Sequence, residues 1–253
     1  MKYFNFIDNK PTNYVIFSNE TKKDSYNGRS KTDIMLTSFA PVNYIFFALP
    51  MSKNSNDFDV FGAIRSLRAF AKDNKPTRIF GLPQFLYATL KKMKEMSEPP
   101  IILNPNSLVL IGGGWKNYDE NRINKLDFYK KINKQLGIPI ERCRDIYSAV
   151  EHPLPYIECK NHNFHEPIYS RVFIRDVKTL EVLPCGKLGF LSLVSPYLLS
   201  APANSIVMAD LAVKYDTQCG CGIERPFFEI IGRSGTNKSR GCAISASKVL
   251  KDF

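Results

Sequence analysis

The sequence predicts an α/β fold with a parallel half and a smaller antiparallel β subdomain. Three observations predict it. Up to about residue 152, strand-length apolar runs alternate with stretches of helical spacing, the β-α-β pattern of a parallel sheet. After Pro153, short strands alternate instead with Pro and Gly turns, the signature of antiparallel pairing. Hydrophobic residues make up 44% of the 253 residues and charged residues 23%, a balance that supplies a core and excludes a mainly disordered chain.

Taken in order, residues 1–35 read as Asn-, Lys- and Ser-rich turns around one short strand, Tyr14-Val15-Ile16-Phe17. Tyr44–Leu49 reads as a buried strand. Val60, Ile64, Leu67 and Phe70 recur at helical spacing over Val60–Asp73. Arg78-Ile79-Phe80 is a strand ending at Gly81. Pro83 then opens a helix that buries Phe85, Leu86, Leu90 and Met93 and is closed by Pro99-Pro100. Ser107–Ile111 is a strand running into Gly112-Gly113-Gly114-Trp115. A helix from near Asp119 follows, with Ile123, Leu126, Tyr129, Ile132 and Leu136 inward and Gly137 as its stop. Asp145–Val150 is the next strand. The antiparallel part is expected at Arg171–Arg175, Leu188–Val194, Ser205–Val207 and Phe228–Ile231. The expected division is 1–152, an α/β half; 153–231, a β subdomain; and 232–253, a polar tail.

No apolar run reaches the ~18 residues of a membrane helix, so no transmembrane segment is expected. Asp8 and Asn9 stand where a signal peptide keeps its apolar stretch, which points to a soluble cytoplasmic protein. The 35 Lys and Arg against 24 Asp and Glu give +11. The lysines are scattered, without a block of five like charges, an RNA-binding aromatic signature or a helix-turn-helix pattern. A basic solvated surface that suits a polyanionic nucleotide is expected, and no nucleic acid partner.

Several groups could carry chemistry. Gly112, Gly113 and Gly114 lie between a strand and a helix, where a backbone without Cβ atoms can approach a flat or charged ligand; a tight structural turn is the alternative. Cys159 and His165 lie six residues apart, and Cys219-Gly220-Cys221 forms a second pair about fifty residues on. Soft S and N donors, two per loop, suit a closed structural Zn²⁺ site; unrelated thiols are the alternative, and His162 competes with His165. Cys143 and Cys185 lack such partners and read as core or surface thiols. Cys242 has Lys238 and Arg240 nearby, which favour a thiolate. Glu151 and Asp210 each follow a strand, where a carboxylate can hold Mg²⁺ or ribose hydroxyls, or cap a turn.

In order, Phe80-Gly81-Leu82-Pro83, Leu110-Ile111-Gly112-Gly113-Gly114-Trp115-Lys116 and Asp145-Ile146-Tyr147-Ser148-Ala149-Val150-Glu151 resemble an adenylate-forming enzyme. With Asp210-Leu211-Ala212, Cys219-Gly220-Cys221-Gly222, Ile231-Gly232-Arg233 and Arg240-Gly241-Cys242-Ala243, the set is similar to the LuxE-type acyl-protein synthetase family, from about Phe80 to Ser247. The resemblance implies an adenylate-forming core without most of the mobile C-terminal domain. Gly112–Gly114 with Trp115 would line an adenine pocket and Tyr147 would stack near the base. Asp210 would bind ribose, Arg233 ribose or phosphate, and Glu151 Mg²⁺. Cys159, His165, Cys219 and Cys221 resemble a structural zinc site of related acid-activating ligases. Cys242 stands where the family's acyl-accepting cysteine is found.

The implied reaction uses ATP to activate a carboxylic acid of the fatty acyl class, passes it to Cys242 and hands it to a partner such as a reductase or carrier. Phe46, Phe47 and Phe85–Tyr87 are candidates to line an acyl tunnel, or core residues. Two departures stand out. The only candidate phosphate loop, Ser18–Ser25, lacks the usual glycines in a chain that is short at its N-terminus for the family, and Ser148-Ala149-Val150 replaces the usual Gly-Met-Thr. A degenerate homologue that binds nucleotide, acyl group or partner without turnover is the alternative expectation.

Overall fold

Two strands, Thr77–Gly81 and Leu108–Gly112, are buried at every residue, the second of them apolar along its whole length. Only a sheet covered on both faces tolerates such strands. The computed structural model describes residues 6–20, 28–50, 58–115, 123–197 and 203–233. They fall into two compact units that part between Cys143 and Arg144.

In the first unit, β1 (Thr12–Asn19), β2 (Val42–Leu49), β3 (Thr77–Gly81) and β4 (Leu108–Gly112) form a parallel sheet in the order β2-β1-β3-β4. Its helices are α1 (Gly28–Thr37), α2 (Val60–Asp73), α3 (Pro83–Glu95) and α4 (Lys125–Leu136). The ends of the last three are written in the sequence. Asp59 accepts from the Gly62 amide at 2.7 Å and Asn124 from Leu126 at 2.9 Å, while Pro83 takes a first-turn position without an amide to satisfy. Asn74 (φ 52°) and Gly137 (φ 68°) close α2 and α4 in the left-handed region. The core gathers Leu67, Ile79, Phe85, Leu86, Val109, Phe128 and Ile132, and Phe46 packs against it. Phe85 is therefore a core residue.

Helix α1 departs from expectation, since its segment reads as turns. A tertiary contact helps hold its end: the buried Tyr14 hydroxyl reaches the carbonyls of Thr37 at 3.2 Å and Ala40 at 3.4 Å. At the carboxyl end of β3, Gly81 has φ 125°, and a Cβ there would lie 2.4 Å from the Phe17 carbonyl oxygen. Only glycine lets β3 run this close to β1 before α3 begins.

The boundary falls at the first residue of β5 (Cys143–Tyr147), which pairs antiparallel with β6 (Tyr156–Ile157) of the second unit. An antiparallel sheet follows, built from β7 (Phe164–His165), β8 (Arg171–Arg175), β9 (Leu188–Val194), β10 (Ser205–Tyr215) and β11 (Phe227–Arg233), in the order β7-β11-β10-β9-β8. Tyr156, Phe164, Val172, Leu191, Leu193 and Phe228 form its core. Buried Glu166 pairs with Lys214, and both hold Val172: the carboxylate accepts its amide at 3.1 Å and the ammonium donates to its carbonyl at 2.9 Å. The expected antiparallel subdomain is present, with two changes of boundary. β5 stops at Tyr147, because the chain turns with the His152 amide donating to Ala149 at 3.2 Å. β10 extends to Tyr215, since a register shift between Val207 and Leu211 breaks the two-residue alternation by which a strand is read.

Candidate functional site

Three polar side chains of the second unit converge from different strands. The β10–β11 register sets Asp210 directly opposite Arg233, and β5 delivers Tyr147. Tyr147 donates its hydroxyl to Asp210 Oδ2 at 2.8 Å, while Arg233 Nε lies 3.9 Å from Oδ1. The register irregularities of β10 flank Asp210, and such bulges re-aim a side chain out of the regular pleat. Burial raises the Tyr147 pKa strongly and the negative charges of Asp210 and Glu151 add to the rise, against Arg233. Tyr147 is therefore a fixed neutral donor. Glu151 is exposed, in the turn beyond β5 rather than at the strand's end. A carboxylate held from one side by a phenol, with a mostly exposed guanidinium across the ladder, can accept from vicinal hydroxyls while the cation meets a phosphate.

In the first unit, β4 runs out into the glycine bend at the carboxyl edge of the parallel sheet. Gly113 (φ 85°) and Gly114 (φ 68°) are both left-handed, and a Cβ on Gly114 would meet nothing within 4 Å. The bend thus presents bare backbone. Trp115 has its ring committed to the core, edge-on to Tyr87 and Phe128, both at 5.4 Å.

The four expected metal ligands come together. Among the described residues, the donor atoms of Cys159, His165, Cys219 and Cys221 all lie within 4.8 Å of one another. Cys159 Sγ is 3.8 Å from Cys219 Sγ; His165 Nε2 is 3.1 Å from Cys219 Sγ and 3.3 Å from Cys221 Sγ. A tetrahedron with Zn–S bonds of 2.3 Å has S···S edges of about 3.8 Å, so the donor set and spacing fit zinc. His165 Nδ1 lies 3.0 Å from the Arg225 carbonyl, which can only accept; this leaves the Nε2 lone pair toward the thiols. Burial first, then its neighbouring thiols, pushes Cys159 up to about 12, and a divalent cation would reverse that by taking the thiolate.

Local chemistry builds the cluster. Cys159 opens a tight reversal in which its amide donates to Asn163 at 2.9 Å. Gly220 (φ 74°) and Gly222 (φ 94°) let the second loop curl, and the Ile223 amide points at Cys221 Sγ at 3.3 Å. Asn161 ties the loops together, donating to the Cys219 carbonyl at 2.6 Å. His162 is 3.6 Å from Glu158 Oε2 and is not part of the cluster. Cys143 is buried and Cys185 exposed.

Other expected residues lie outside the described ones: Cys242, Lys116, and Thr21–Ser25 of the phosphate-loop candidate. One group escaped sequence reasoning. His152, 4% exposed, stacks on Tyr156 with Nε2 3.1 Å from its hydroxyl, which also hydrogen-bonds Ser170. The anchored ring holds the turn that carries Glu151. Burial lowers the His152 pKa below its ordinary value near 6.5. The unfolded chain therefore binds more protons below about pH 6.5, and stability must fall as pH drops through that range. Thermal melts from pH 8 to 5.5 should show this slope, and His152→Gln should flatten it; an unchanged slope would assign it to His165, whose pKa burial also lowers.

The sequence matches the family described as acyl-protein synthetase, LuxE, over residues 30–251. It is 23% identical over 210 residues to the long-chain-fatty-acid–luciferin-component ligase of Aliivibrio fischeri, covering 82% of this chain and 54% of that one. The chain thus spans about half the length of that relative. Among solved structures, a 2-hydroxyisobutyryl-CoA ligase in complex with 2-HIB-AMP and CoA aligns with a TM-score of 0.61 at 15% identity, over 88% of this chain and 49% of that one. Apo MatB from Rhodopseudomonas palustris aligns with a TM-score of 0.56 at 14% identity, over 92% and 42%. These likenesses identify the fold as that of adenylate-forming ligases.

Proposed function

Because the chain belongs to the acyl-protein synthetase, LuxE, family, we propose that it activates a fatty acid with ATP and transfers the acyl group through a cysteine to a partner protein in the cytoplasm. The observation that carries this reading is the Tyr147–Asp210–Arg233 group, with Glu151 close enough to act electrostatically on Tyr147. Asp210 accepts the ribose hydroxyls and is kept in place by the Tyr147 donor. Arg233 meets ribose or phosphate. Glu151 would hold Mg²⁺, which offsets phosphate charge when bound. Cys159, His165, Cys219 and Cys221 would hold a structural zinc with no open position.

In the first step a carboxylate oxygen attacks the α-phosphorus of ATP; pyrophosphate leaves and acyl-AMP forms. In the second, the Cys242 thiolate attacks the acyl carbon and AMP leaves, giving a thioester. The partner, a reductase or carrier, then takes the acyl group. Incubation with labelled fatty acid, ATP and Mg²⁺ should leave a protein-bound label that hydroxylamine releases, and Cys242→Ser should abolish it. A thioester that still accumulates in Cys242→Ser would refute the assignment of the acceptor.

One observation favours a second reading. Ser18–Ser25 has no glycine with which to wrap a triphosphate, which suits a protein that binds nucleotide or acyl group without turnover.

A further inference from the structure

At the amino ends of the parallel strands, away from Gly81 and Gly112, the first unit carries a half-open pocket of about 210 Å³. Three cations line it, Lys10, Arg78 and Arg142, against one carboxylate, Asp8. Arg78 opens into it from the start of β3; it is 3% exposed and its guanidinium lies 5.9 Å over the Tyr14 ring. Among the described residues its Nη1 has no hydrogen-bond partner. Arg142 is held rigidly, donating from Nε to the Ser107 carbonyl at 2.8 Å and from Nη2 to Asn106 at 2.6 Å. Lys10 is exposed at the rim.

A guanidinium taken out of water, as that of Arg78 is, needs acceptors, and the lining sets one carboxylate against three cations. Guanidinium groups fixed in place match the oxygens of a tetrahedral anion in charge and in geometry. The volume is below the roughly 300 Å³ at which sites for drug-sized molecules begin, so the occupant is small. Ligands of open α/β sheets sit at the carboxyl ends of the strands, so a nucleotide would occupy the other edge of this sheet. We propose that this pocket binds a phosphate, either as the free ion or as the phosphoryl group of a small phosphomonoester. The site stands independently of the acyl-activating reading.

The test is a thermal melt of the full chain titrated with inorganic phosphate, with chloride at matched ionic strength as control. A ligand that binds the folded chain raises the melting temperature along a binding curve. Wild type should show that rise. Lys10→Gln, at the exposed rim where folding is not at risk, should raise the half-saturating phosphate roughly 5- to 10-fold. Arg78→Gln should remove the effect. Glycerol phosphate in a parallel arm separates the sources: tighter binding than inorganic phosphate assigns a phosphomonoester, weaker binding the free ion. A response no larger than that of chloride, or one that Lys10→Gln leaves intact, would overturn the proposal.

Discussion

Asp210→Asn is expected to lower kcat/KM for acid-dependent ATP–pyrophosphate exchange about 100-fold while moving the melting temperature by no more than about 2 °C. The two effects separate because the substitution conserves shape. The amide oxygen of Asn can still accept the Tyr147 hydroxyl, which lies 2.8 Å from Oδ2, so the β5–β10 contact survives. The negative charge is lost, and half the acceptor capacity with it. Charge-assisted hydrogen bonds to a ligand contribute about 1.5–3 kcal/mol each, and two vicinal hydroxyls would bring two of them. Arg233 offers little compensation, being 3.9 Å away and 55% exposed. The loss should appear chiefly as a raised KM for ATP. A variant with unchanged exchange kinetics would remove Asp210 from the nucleotide site.

Cys219→Ala should abolish tightly bound zinc and lower the melting temperature by more than about 10 °C. Cys219 is the hinge of the cluster, 3.8 Å from the Cys159 sulfur and 3.1 Å from the His165 nitrogen, and the loops around it are tied otherwise by Asn161. Binding energy at a site of four protein ligands is folding energy for the segments it joins, here the β6–β7 reversal and the loop before β11. Elemental analysis should find one zinc per wild-type chain and none in the variant. Cys185→Ala, which changes an exposed thiol outside the cluster, should do neither. Equal metal content in both variants would argue against the zinc reading.

The legible parts of this sequence are those where one local rule suffices. Buried parallel strands announce themselves as unbroken apolar runs, as at Leu108–Gly112, and α2 and α4 carry their caps in Asp59, Asn74, Asn124 and Gly137. The convergence of Cys159, His165, Cys219 and Cys221 is legible too, because soft donors set in pairs on two loops are a recognisable pattern; the tight Cys-Gly-Cys spacing works because Gly220 and Gly222 take left-handed conformations. What escaped depends on partners far along the chain. Helix α1 ends against Tyr14, and β10 hides its length behind a register shift that local alternation cannot express. The bond between Tyr147 and Asp210 joins residues 63 apart; each was singled out, but only the fold reveals that one holds the other. His152 reads as one more residue of a Pro-rich turn until its stack on Tyr156 is seen.

The most direct measurement is ATP–pyrophosphate exchange by the purified wild-type chain with Mg²⁺, across a series of fatty acids. Acid activation predicts label entering ATP only when a fatty acid is present, with a clear optimum in chain length. Nucleotide binding without exchange for any acid in the series would contradict it, and would leave a protein that holds its ligand without turning it over.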